Sequence, residues 1–131
     1  MKNLLLTLSL VLASCASTSP GSVPVAEGPV ARTIERVLDR TIQMSDEDGL
    51  EFTDEVQAAA DIARAVLLVP EASGVTLMVS LAPLLHLHDM LVMQRAAEGS
   101  LEQLEVEVYM EDTARLRSLF ESVNIHASLA L

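Results

Sequence analysis

From Val30 onward, apolar residues recur mainly at helical spacing. Ile34, Val37, Leu38, Thr41 and Ile42 form one stripe, with Glu35, Arg36, Asp39 and Arg40 elsewhere on the surface. The pairs Arg32–Glu35 and Arg36–Asp39, three residues apart, fit a solvated helical face. An acidic turn, Ser45 to Gly49, ends this helix near Met44. Thr53 is a good N-cap for the next, and Asp54 and Glu55 suit the positive end of its dipole. Its inward set is Val56, Ala59, Ala60, Ala63, Val66 and Leu67, and Pro70 and Gly74 stop it. Val75 to Arg95 is apolar nearly all round, which predicts a buried helix that Pro83 kinks or starts. His86, His88 and Asp89 argue against a membrane span. Gly99 closes that helix, and Ser100 with Gln103 reads as a capping box for a last helix from Leu101 to about Val123, with Leu116, Leu119, Phe120 and Val123 inside.

The expected fold is therefore all-α, with about four helices in two helical hairpins. A faint internal repeat agrees with this. Ile34, Val37 and Leu38 match Leu81, Leu84 and Leu85, and Asp61 to Arg64 echoes Asp112 to Arg115. One segment dissents. Leu104 to Met110 alternates with period two, the signature of a strand. With 75–81 and 125–130 also read as strands, the alternative is a small α/β domain. Abundant Leu, Ala, Glu and Met favour the helical reading.

The N-terminus has a different pattern. Lys2 precedes an apolar run from Leu4 to Ala13, broken only by Thr7 and Ser9 and too short to span a bilayer. Small residues and Cys15 follow. This layout is a secretory signal, and Leu12-Ala13-Ser14-Cys15 resembles the lipobox of bacterial lipoproteins. The resemblance covers about an eighth of the chain. It implies cleavage before Cys15 and lipidation of that residue. Ala16, where inner-membrane lipoproteins often carry Asp, leans towards the outer membrane. Several acyl chains would hold the protein, each buried methylene adding roughly 0.8 kcal/mol. Residues 16–29, rich in Ser, Thr, Gly and Pro, read as a flexible tether. The expected organisation is a signal peptide at 1–14, the lipidated Cys and tether at 15–29, and a single helical domain at 30–131.

Composition sharpens this picture. The 131 residues include one cysteine, which excludes an internal disulfide and a cysteine-rich zinc site. The formal charge is −11, which argues against nucleic-acid binding. Removal of Lys2 with the signal leaves seven arginines against 19 acids, a charge of −12.

Two groupings bear on chemistry. Asp46, Asp48, Gly49 and Glu55 resemble part of the calcium loop of EF-hand proteins: with Gly49 at the sharp turn, the three acids fall on the third, fifth and twelfth loop positions. Met44 at the first and Glu51 at the eighth depart from that pattern, and an ordinary acidic helix–helix turn competes. His86, Asp89, Met90 and Met93 share one helical face, a donor set that suits Cu(I), although methionine fills irregular cores routinely. No spacing marks a nucleophile elbow, a metalloprotease helix or a phosphate loop.

The sequence thus leads to a non-enzymatic envelope protein. It is expected on the periplasmic side of the outer membrane, held there by Cys15, as a scaffold or interaction module for an envelope protein partner and with no cofactor. The competing class is a periplasmic module binding weak Ca²⁺ at Asp46, Asp48 and Glu55, or Cu at His86, Met90 and Met93.

Overall fold

The computed structural model describes residues 22–26, 28–48 and 53–130, with the side chains of 48, 53 and 124–130 left aside. In chain order the elements are β1 (Ser22–Pro24), α1 (Pro29–Asp48), α2 (Thr53–Leu67), β2 (Glu71–Ser73), α3 (Gly74–Ala97) and α4 (Gln103–Ala130). The fold is predominantly all-α, as the helical periodicity predicts. The α/β alternative is wrong: 75–81 lies in α3, and 104–110 and 125–130 lie in α4.

Each helix starts and packs for local reasons. Pro29 opens α1, where its missing N–H costs nothing. Ile34, Val37, Leu38 and Thr41 are buried, and the Thr41 hydroxyl donates to the Val37 carbonyl at 2.7 Å. The inner face of α2 is mostly alanine, Ala59, Ala60 and Ala63, so little side-chain bulk separates it from its neighbours. Ser73 caps α3: its hydroxyl oxygen accepts the Thr76 N–H at 3.1 Å. At the other end of α3, Gly99 takes φ +78°. Gly99 N–H donates to Ala96 and Ser100 N–H to Arg95, the Schellman arrangement that uses up the last carbonyls. The expected Ser100–Gln103 capping box is displaced. Glu105 folds back to accept the Glu102 N–H, so α4 starts two residues later than expected and continues to Ala130.

The helix α3 is central and packs against α1, α2 and α4. Leu77, Leu81, Leu84, Leu85 and Leu91 are buried, and full burial of each side chain contributes roughly 1.5–3 kcal/mol. Pro83 neither starts nor ends α3; it sits inside the helix and faces outward. The helix is not buried all round, because Val75, Val79, Met90 and Met93 are exposed on its outer side. By length and composition α3 would suit a membrane span, yet its inner side belongs to the bundle core.

A second, smaller core at the opposite end explains the period-two segment. Val106, Tyr109 and Met110 pack on Met44, Leu91 and Val92, whereas Leu104 and Val108 stay exposed. The helix therefore buries residues three and four apart and leaves the rest of the alternation in water. The internal repeat holds by half. Ile34, Val37 and Leu38 match Leu81, Leu84 and Leu85 in burial, but Asp61 is exposed where Asp112 is buried.

The tether ends earlier than expected. Ser22–Pro24 pairs antiparallel with Glu71–Ser73, in the register Ser22 to Ser73 and Pro24 to Glu71. Val23 and Val25 enter the core, and the Val25 N–H donates to the Pro70 carbonyl at 3.0 Å. The alternation Val23-Pro24-Val25 carried this signal, and a two-stranded ribbon tolerates proline because both strands are edges. Residues 1–21, with the expected signal peptide, Cys15 and the start of the expected tether, lie outside the described residues.

Candidate functional site

The strongest concentration of polar chemistry lies between the helices. His88 is 0% exposed. Arg40 Nη1 lies 3.0 Å from its Nε2, and Asp89 Oδ1 lies 2.9 Å from its Nδ1. A guanidinium only donates, so Nε2 accepts and the ring proton sits on Nδ1, pointing at the carboxylate. Arg40 also donates to Asp112 Oδ2 at 3.2 Å and stacks 3.8 Å above the Tyr109 ring. Arg36 donates to Asp112 Oδ1, also at 3.2 Å. On the other side, Asp89 receives the Thr113 hydroxyl at 2.8 Å and Arg117 Nη1 at 2.6 Å. One connected chain therefore runs Arg36–Asp112–Arg40–His88–Asp89–Arg117. Among the described residues, no buried side-chain polar atom lacks a partner.

This network corrects the assignment of Arg36 and Arg40 to a solvated face. Both reach across to Asp112 in α4, and the Arg40 side chain is only 15% exposed. A His–Asp pair is also the core of a hydrolytic triad, but there Nε2 must face a nucleophile. Here Arg40 occupies that nitrogen and the ring is closed to solvent. The geometry is that of a clamp holding α1, α3 and α4 together.

Both carboxylates are tuned by their surroundings. Burial raises the Asp89 pKa, but hydrogen bonds from His88, Arg117 and Thr113 and the Arg117 charge outweigh it, leaving the group below its ordinary value. Asp112 behaves likewise: burial raises it, and the hydrogen bonds and charges of Arg36 and Arg40 lower it further. Each binds its proton more weakly folded than unfolded. Their stabilisation is therefore present above the unfolded pKa, about 3.9, and is lost as pH falls through the lower folded values. Urea melts at pH 7 and pH 3 check this. The stability gap between the native chain and Asp112→Asn should narrow at pH 3; an unchanged gap would refute the linkage.

The residues singled out from sequence are placed differently. His86, Asp89, Met90 and Met93 line one shallow surface hollow with Gln94. Asp89 is committed to the interhelical network, so His86 and the two thioethers remain as the accessible donors. His86 also lines a hollow with Glu55, Ala58 and Ile62 of α2, and another with Arg117, Phe120 and Glu121 of α4.

The first part of the expected loop, residues 44–48, is helical. Backbone helix continues through Asp48, and Met44, the first position of the loop, is buried in the smaller core. Asp46 is exposed in the last turn of α1, and Glu55 is exposed in the first turn of α2. The Asp48 side chain and residues 49–52 lie outside the described residues. Among the described residues, no three His, Cys, Asp or Glu side chains come together to hold a metal ion.

Sequence reasoning missed Arg36, Arg40, His88, Asp112, Thr113 and Arg117. The available signal was Asp112 and Thr113 at positions where the α4 pattern demands burial. Comparison with known proteins adds no family to this geometry: no family model, no curated protein and no solved structure matches the chain.

Proposed function

We propose that the chain is an envelope lipoprotein, tied by Cys15 to the outer membrane and facing the periplasm. Its helical domain serves as a non-enzymatic scaffold or interaction module. The observation that carries this reading is Leu12-Ala13-Ser14-Cys15 at the end of the apolar run. Met90 and Met93 on the outer side of α3 support the second half, since both stay in water where a partner would cover them. Fractionation tests the anchor. The native chain should pellet with membranes, and Cys15→Ala should move to the soluble fraction; a variant that still pellets refutes anchoring through Cys15.

A second reading rests on the shared hollow of His86, Met90 and Met93. Imidazole with two thioethers suits Cu(I). A ligand held only by the folded state raises the thermal midpoint. Cu(I) should then raise the midpoint of the native chain, and His86→Ala with Met90→Ala should abolish the shift. No shift in the native chain disposes of the copper reading.

A further inference from the structure

The exposed apolar side chains of the bundle include a group at one end. Leu68 is 83% exposed, Val79 70% and Val75 57%, with Val69 beside them. Leu68 and Val69 directly follow α2, and Val75 and Val79 lie in the first turns of α3. Only Pro70 and the three residues of β2 separate α2's tail from α3. Apolar exposure concentrated at one end of a bundle marks a surface suited to being covered.

The chain enters the domain at this same end. Ser22 pairs with Ser73, the residue that caps α3. Residues 16–21 are all that separate Cys15 from the strand, and even fully extended they span no more than about 25 Å. The 24 residues of α3 alone are about 36 Å long. A lipid on Cys15 therefore holds the ribbon end of the bundle beside the headgroups, and the opposite end cannot take its place.

Charge gives the same orientation. Asp46, Glu47, Glu98 and Glu102 sit at the far end, where α1 and α3 finish and α4 begins. The ribbon end carries Glu35 and Glu71 with Arg32, and Arg64 there is paired with Asp61, so it is the less acidic of the two. Anionic headgroups therefore repel the far end more strongly than the ribbon end.

We propose that the ribbon end of the bundle is a lipid-contacting surface, on which Leu68, Val69, Val75 and Val79 rest against the bilayer interface. This rests on the anchored reading and adds an orientation to it: the apolar end faces the membrane and the acidic end faces away.

Site-directed fluorescence tests it. The full chain, extracted from membranes, is reconstituted into phosphatidylethanolamine–phosphatidylglycerol vesicles containing a headgroup-quencher lipid. An environment-sensitive thiol probe is placed at Val79→Cys or at Leu104→Cys. Leu104 is 72% exposed, apolar and at the far end, so it controls for exposure alone. Val79→Cys should show blue-shifted emission and severalfold stronger quenching than Leu104→Cys. Equal quenching at both positions overturns the orientation. A blue shift at Val79→Cys without lipid quenching also overturns it, because a second copy or another protein then covers the patch. The native chain separates the two readings. If it takes up the thiol probe, Cys15 is not acylated and the anchored reading falls, taking this proposal with it. If it stays unlabelled and Val79→Cys is not quenched, the lipid-contacting surface alone is wrong.

Discussion

Phe120→Ala should lower the unfolding free energy by about 3–5 kcal/mol, the range for deleting a buried aromatic ring. Phe120 is fully buried in the main core, on the face of α4 that meets α3. Its nearest relief would come from the hollow it shares with Leu85 and Arg117, but those residues belong to helices fixed by the interhelical network. Collapse into the void is therefore limited, and most of the cavity cost is retained. For a domain whose total stability is about 5–15 kcal/mol, this leaves little margin, and the variant should melt far below the native chain. Phe120→Leu keeps most of the volume and should cost less than half as much. Urea denaturation with matched m-values measures both; a loss below about 1 kcal/mol for the alanine variant, an ordinary surface value, would mean that α4 does not pack as described.

Asp112→Ala is expected to cost about 2–4 kcal/mol, through charge rather than volume. It removes the anion shared by Arg36 and Arg40. Arg36 is half exposed and turns to water, so its share is small. Arg40 is enclosed between His88 and Tyr109 and keeps its charge with no carboxylate opposite it. The penalty is that of a stranded cation, which places the estimate below the range for a fully buried pair. Converting both partners, with Arg40→Met and Asp112→Leu together, should recover much of the loss, because apolar pairs of similar volume often replace buried ion pairs without penalty. An Asp112→Ala loss within about 0.5 kcal/mol would show the clamp to be ornamental.

What the sequence revealed depended on how local the cause was. The inner faces of α1 and α2 follow from residues three and four apart, so Ile34, Val37, Val56 and Ala63 are legible by period alone. The boundary at Gly99 is legible for the same reason, since one residue supplies the left-handed turn. Leu104 to Met110 misled because two periods fit it, and only packing on Met44 and Leu91 decides between them. Arg40, His88 and Asp112 were illegible because each becomes meaningful only beside partners dozens of residues away. An arginine inside a charged stretch looks solvated until α4 brings a buried aspartate to it. The pairing of β1 hid for a related reason: proline and glycine nearby suggest a spacer, and the partner strand lies beyond two helices.

That pairing also bears on when the fold can close. Ser22 meets Ser73, whereas each helix forms from contacts a few residues apart. A chain emerging N-terminus first, from a ribosome or through a translocation channel, presents β1 long before β2 exists. The strand must wait unpaired while both intervening helices and the β2 segment emerge. Long closures of this kind come late in folding. The ribbon is thus a latch set last, and the chain stays unfinished, and able to be threaded, until residue 73 has passed.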